Sequence, residues 1–480
     1  MLADLVAIFP FLVCALGGVA LLLIDLRIPS DRKAVTAWVA LVIVLAAGLS
    51  ALAMLGTAPR EAFSRMVRAD AVALFADALL CAVAALTILL TLRYHQARRL
   101  SRGEFYPLLL LSLSGMVLTA HANDLLIVFL GIELLSIPLY VLSGIARPRL
   151  ESEESAMKYF FTGAFASGFL VYGIALVYGA MGTTSLSTFA AQLRAALGGS
   201  ANDPLLLAGL ALVLVGLAFK VAAAPFHLWA PDVYEGAPTT VTAFMATATK
   251  TAGFLALVRV FGFGFAALQA QWQPVIAALA ALTMVVGNFA ALAQTNLKRL
   301  LAYSSIAHAG YALVGVAAND AQAVLFYLAA YAFTTLAAFA VLTAIGSGVE
   351  ENQGLDAYAG LGRTQPALGV VMAVAMFSLI GIPPTAGFVG KYFLFQSAVA
   401  AGLAWLALFG VLTSVVSAYF YLRVVMTLYM REPQGEPVEV VPDAPRTLAA
   451  ALSVAAVLVF GVGAAAVIGF LNDGLQAMRP

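Results

Sequence analysis

"FKVAAAPFHLWAPDVYEGAPTTVTAFMATATKTAGF", residues 219–254, sets Lys220, His227, Asp232, Glu235 and Lys250 among three prolines in a chain that is otherwise nearly all apolar. Polar groups in such surroundings need a reason, and the rest of the sequence supplies it. Of 480 residues, 63% are hydrophobic and 10% charged, with a mean hydropathy of +0.99, whereas an ordinary soluble domain carries about 25% charged residues. Uncharged runs such as 5–24, 34–59 and 159–193 reach the roughly 20 apolar residues that cross a bilayer as a helix. The short alternating segments of a transmembrane barrel are absent. The chain therefore reads as an all-α polytopic membrane protein.

Cutting at charges, prolines and polar clusters predicts fourteen spans, at about 5–24, 34–56, 71–92, 105–121, 124–145, 156–180, 204–224, 238–262, 272–293, 298–318, 321–345, 366–398, 402–430 and 447–471. The first has no basic leader and is read as a retained helix. Fourteen Lys and Arg lie in loops after odd-numbered spans, Arg27, Arg32, Lys33, Arg93, Arg98 and Arg99 among them; Arg60, Arg65, Arg68, Arg194 and Arg479 lie opposite. By the positive-inside rule both termini are expected outside. The loop with Arg60, Arg65 and Arg68 opposes the trend.

Four of the six lysines, Lys158, Lys220, Lys250 and Lys391, fall inside predicted spans, while surface charge is given to arginine. A desolvated lysine can release its proton and an arginine effectively cannot, so this division suits proton transfer. Lys250 is too central in its span to reach either surface, and Thr247, Thr249 and Thr251 around it are candidates to hold water. Glu133 lies mid-span, where an acid is costly unless it faces water, the bundle interior or a partner. After Lys220, Pro225, Pro231 and Pro238 break the span, and before Lys391 the run "GIPPTAGFVGK" (381–391) does the same. Broken helices at membrane depth line cavities or ion paths, and two of them in corresponding places point to a repeat transporter. We therefore expect two inverted five-helix repeats, spans 4–8 and 9–13, with boundaries 1–104, 105–265, 266–430 and 431–480.

Lys158 follows "ESEES" and is equally readable as a relay or as a solvated pair with Glu154 one turn earlier. His227 and His308 are balanced between hydrogen-bonded core residues and titrating bridges between lysines. Asp232 and Glu235 read as shaping the inner mouth. Cys14 and Cys81 sit in apolar runs and read as packers, not as a disulfide or metal pair. The net charge of +1 argues against nucleic acid as a partner. Phosphate-loop, zinc and nucleophile-elbow motifs are missing, so no cofactor-binding or metal site is expected in this chain.

"PFHLWAPDVYEGAPTTVTAF" (225–244), with Lys220 before it and Lys250 after it, closely resembles the proton-translocating antiporter-like subunits of respiratory complex I. The wording "DVYEGAPT" favours the N-type branch, called subunit 2 in mitochondria, over the multisubunit sodium/proton antiporters. The resemblance spans essentially the whole chain. It implies that Glu133 and Lys220 interact, that Lys250 is a central relay and that Lys391 is a terminal site. For Lys158, His227 and His308 both readings stay open, as members of the relay or as structural groups. It further implies neighbouring complex I membrane subunits and the lipid bilayer as partners, and NADH, FMN, iron–sulfur clusters and quinone bound elsewhere in the complex; high Ala, Arg and Gly usage points to a bacterial inner membrane rather than a mitochondrion. The alternatives are a sodium/proton antiporter subunit and a passive structural subunit.

Overall fold

The computed structural model describes residues 2–29, 32–98, 100, 102–195, 203–345, 354–433, 440, 443–466 and 469; Arg99, Arg479 and the end of the last predicted span lie outside them. The helices follow in order: α1 (Leu2–Ala7), α2 (Phe9–Asp25), α3 (Ala34–Met54), then a hairpin of β1 (Arg60–Ala62) and β2 (Val67–Ala69). Next come α4 (Ala71–Ala97), α5 (Phe105–Ala120), α6 (Leu125–Ser143), α7 (Leu150–Met181), α8 (Leu186–Ala195) and α9 (Pro204–Lys220). A short α10 (Trp229–Gly236) leads to the span Thr239–Gly264, built of α11 (Thr239–Phe244), a π-helical turn (Met245–Thr249), α12 (Lys250–Leu257) and a second π segment (Val258–Gly264). The rest is α13 (Gln269–Leu292), α14 (Leu297–Ala317), α15 (Ala321–Ala344), α16 (Leu361–Thr364), α17 (Pro366–Ile380), α18 (Ala386–Ala400), α19 (Ala404–Met430) and α20 (Ala444–Val462).

The chain is thus an all-α membrane protein, with ten described helices long and apolar enough to span, or eleven if α16 and α17, bent by 120°, join with the preceding turn as one. Fourteen were expected. The difference lies in α2, α5 and α9, which are apolar but only 16 or 17 residues long, and in predicted span 366–398, which divides into α17 and α18. Gly381, at φ +93°, ends α17 in a left-handed conformation that suits glycine.

Helix starts follow local chemistry. The carboxylates of Asp70, Asp124, Asp203, Asp320 and Asp443 and the Asn296 amide oxygen accept from the first-turn N–H groups of α4, α6, α9, α15, α20 and α14. The opposing basic loop also finds its reason, since Arg65 pairs with Glu61 at 3.2 Å and Arg68 with Asp70 at 3.3 Å. Those arginines answer local acids.

Burial orders the bundle. The span Thr239–Gly264, α14 and α15 are each 94% buried through their apolar windows, whereas α3 and α20 are 28% buried and face outward. Close helix pairs rely on absent side chains. A Cβ on Gly115 of α5 would stand 2.3 Å from the Leu135 backbone nitrogen of α6, and one on Gly287 of α13 the same distance from Ala307 N of α14. Such contacts are how membrane helices gain packing without a hydrophobic drive.

Candidate functional site: a buried line of lysines

The first broken helix is held open by specific bonds. α9 ends at Lys220, and Ala222 takes a left-handed φ of +57°. The exposed backbone is then repaid from other elements: Trp229 Nε1 donates to the Phe219 carbonyl at 3.2 Å, and the Ala224 N–H donates to Thr283 Oγ1 of α13 at 2.9 Å. This satisfaction lets a non-helical stretch persist at depth. Lys220, 3% exposed, donates to Ser136 Oγ at 2.8 Å and to the Tyr159 hydroxyl at 3.1 Å. Tyr159 in turn stacks on Trp229, ring centroids 4.6 Å apart.

Glu133 is half-buried and accepts from the Ser167 hydroxyl of α7. No direct ion pair joins it to Lys220. The two are linked through α6, because Ser136 lies one turn after Glu133 on the same face. A cavity of ≈ 10 Å³ lined by Ser136, Ser167 and Lys220 lies beside the lysine, about the space of one water. Sequence reasoning selected the two charges and missed their hydroxyl partners, Ser167 at Glu133 and Ser136 and Tyr159 at Lys220.

Lys250 follows the π-helical turn Met245–Thr249, the kind of irregularity that often marks function within a helix. It is 2% exposed and donates to the backbone carbonyl of Ser305 on α14. Of the three candidate threonines, Thr247 and Thr251 bond back to carbonyls of their own helix, at 2.7 and 2.9 Å. Thr249 Oγ1 alone has no protein partner among them.

One turn beyond Ser305, His308 is held between two phenols. Its Nδ1 lies 2.6 Å from the Tyr327 hydroxyl and its Nε2 3.1 Å from the Tyr421 hydroxyl. Tyr421 also bonds Ser304, and the Tyr311 ring packs edge-on against His308 at 5.6 Å. Tyr311 then carries Lys391, whose Nζ lies 4.7 Å from the ring centre. Lys391 donates to the carbonyls of Leu379 and Ile380, each at 2.9 Å, and to Ser414 Oγ at 2.7 Å. Three acceptors match the three protons of an ammonium, and two of them are open carbonyls at the C-terminus of α17. The second break is thereby capped by its own lysine.

The other candidates fall elsewhere. Lys158 is 41% exposed through its side chain and bridges Glu154 at 2.6 Å and Asp232 at 2.7 Å. Arg299 joins Asp232 at 2.9 Å and Glu235 at 2.6 Å, and Asn296 donates to Glu235 at 2.9 Å. These groups line a polar cleft of ≈ 470 Å³, so Lys158 sits at a mouth and not in the buried line. Desolvation would raise the Asp232 carboxyl, but Lys158 and Arg299 together hold it below the usual carboxylate range. His227 is 9% exposed in the first break, and its Nδ1 has no partner. A second buried cluster went unnoticed in the sequence: Arg259 forks onto both Asp70 oxygens at 2.6 Å, and Asp77 meets His121 at 2.7 Å. Each pair contains a charge that its sequence position signals, Arg259 inside predicted span 238–262 and Asp77 inside predicted span 71–92. Among the described residues no group of three or more His, Cys, Asp or Glu is placed to hold a metal ion.

The model of the family described as "NADH:quinone oxidoreductase/Mrp antiporter, TM" matches residues 122–417, from just before α6 to within α19. NADH-quinone oxidoreductase subunit N of Trichlorobacter lovleyi is 45% identical over 476 residues, covering 98% of this chain and 97% of that protein. The chain belongs to the NADH-quinone oxidoreductase subunit N family. The family's Chloroflexus aggregans member is 47% identical over 465 residues, covering 96% of this chain and 94% of that one. A chain of respiratory complex I from Thermus thermophilus superposes with a TM-score of 0.83 at 38% identity, covering 96% of this subunit N family member and 98% of that chain. A chain of the Mrp complex from Dietzia shares the fold alone, with a TM-score of 0.83 at 20% identity over 99% and 97% of the two chains.

Proposed function

We propose that this chain carries protons as one membrane module of an NADH:quinone oxidoreductase, assembled beside other membrane subunits in a bacterial inner membrane. The observation that carries the reading is α14 itself: Ser305, His308 and Tyr311 follow one another along it, touching Lys250 at one end and Lys391 at the other. Protons would pass from the Lys220–Ser136–Glu133 group to Lys250, along the His308 and tyrosine contacts, and to Lys391. The charge of Glu133 favours protonated Lys220, since opposite charges attract more strongly as the effective dielectric falls. A redox-driven change in a neighbour that alters Glu133 would release the Lys220 proton toward Lys250. NADH, FMN, iron–sulfur clusters and quinone would act in other subunits.

The same reading takes 105–265 and 266–430 as two inverted repeats within fourteen spans, both termini outside. The matched pair of broken helices supports it, each with a lysine at its break. A sodium/proton antiporter is the competing function, favoured by the breadth of the matching family. Vesicles holding wild type or Lys250→Ala at equal protein level separate the two. Loss of NADH-driven acidification supports the redox pump; intact pumping with lost sodium-driven exchange replaces it by the antiporter.

A further inference from the structure

An apolar groove of ≈ 750 Å³ opens on the outside of the bundle between α3, α4, α15 and α20. Trp38, Leu45, Leu86, Leu89, Leu448 and Leu452 line it, and Phe333 of α15 contributes a further wall. Most lipid-facing surface here is convex helix, against which acyl chains slide. A concave apolar groove in a bilayer is different, because any unfilled volume forfeits dispersion contacts on every wall. An apolar occupant would restore those contacts.

Its length says what. Along α20 the lining runs from Ala444 to Leu452, and along α3 from Trp38 to Leu45, about 10–12 Å at 1.5 Å per residue. A partner's transmembrane helix would need a seat across the roughly 30 Å hydrocarbon core. The groove matches one leaflet.

Its polarity says which leaflet and which headgroup. The start of α3, the end of α4 and the start of α20 lie at the same end of the groove, the end that carries the excess of basic loop residues. On α4, Arg93 continues the stripe of Leu86 and Leu89 by one more turn and is exposed. Arg446 of α20, 8% exposed, follows Asp443, the cap of that helix, at the same end. Trp38, 50% exposed, stands at the same level, the position that tryptophan favours at a membrane interface.

The geometry points to a phospholipid site: one acyl chain lies in the groove and an anionic headgroup meets Arg93. The site is filled from the basic side of the membrane and is independent of the proton path.

The test places p-benzoylphenylalanine at the position of Leu448, half-exposed and remote from the lysine line, in the intact complex in native membranes. Irradiation followed by mass spectrometry reads what is captured. The expected product is a phospholipid adduct richer in anionic headgroups than the surrounding membrane. Arg93→Gln should lower that enrichment about fivefold, the worth of one basic residue near an anionic surface. Ala82→Trp, which plugs the inner end, should reduce lipid capture of every headgroup. Capture of another protein chain would overturn the proposal and make the groove a subunit contact. Lipid adducts with the average membrane composition, unaffected by Arg93→Gln, would overturn the anionic assignment.

Discussion

Lys250 and His308 are joined through a single turn of α14: the lysine donates to the Ser305 carbonyl, and His308 follows three residues later. The contact uses backbone, so the side chain of residue 305 is not what Lys250 holds. Lys250→Ala should lower NADH-driven proton pumping at least about tenfold, within the usual worth of a positioned proton-transfer group. Ser305→Ala should leave it within about twofold by the same scale. Vesicle acidification rates compare them, and equal losses in both variants would remove Lys250 from the path.

His308 depends on two phenols for its orientation. Tyr327→Phe and Tyr421→Phe each delete one hydroxyl at the ring nitrogens, and a buried group left without a partner costs roughly 1–3 kcal/mol. Pumping should fall in each and further in the double variant, with NADH oxidation by uncoupled membranes retained. A double variant that pumps like wild type shows that the imidazole is only core.

At Lys220 the prediction concerns charge and shape together. Lys220→Arg keeps a cation that effectively cannot release its proton, so pumping should stop although the position stays basic. Ser136→Ala removes one of its two hydroxyl partners and should give a partial loss. Wild-type pumping by the arginine variant would mean that Lys220 serves as a fixed charge.

Arg259 and Asp70 form a bidentate pair with both side chains almost wholly buried. Removing one partner strands the other charge, a loss of about 3–5 kcal/mol. Arg259→Leu should therefore lower the amount of folded subunit in membranes and the thermal stability of the purified complex. The double replacement Arg259→Leu with Asp70→Asn should recover part of it, and a double variant no better than the single contradicts the pairing.

The mouth cluster should respond to acid. The folded-state pKa of Asp232 lies below its unfolded value, so its stabilisation is present above the unfolded value and is lost as pH falls through the depressed one. Asp232→Asn should flatten the acid side of the stability curve. Lys158→Ala, at a side chain that is 41% exposed, should leave NADH-driven pumping near wild type; a tenfold loss would return Lys158 to the relay.

Membrane insertion, the two breaks and the burial of Lys220, Lys250 and Lys391 were all legible in the sequence, because bilayer energetics acts residue by residue. A lysine among twenty apolar neighbours, or two prolines inside a span, declares its cost locally. Partner identity is not a local quantity. Lys250 meets Ser305 across 55 positions and Lys220 meets Ser136 across 84, and serines and tyrosines are too common in apolar helices to stand out before packing selects them. The sequence left Lys158 undecided because its two readings differ only in which way α7 faces α10 and α14. Tertiary packing brought Asp232 to it and made it a surface ion pair. What the sequence determined by itself was that Lys220, Lys250 and Lys391 had to be buried and where helices had to break; which groups those charges would touch, and that Arg259 would meet Asp70 and Asp77 would meet His121, was decided only when distant helices came together.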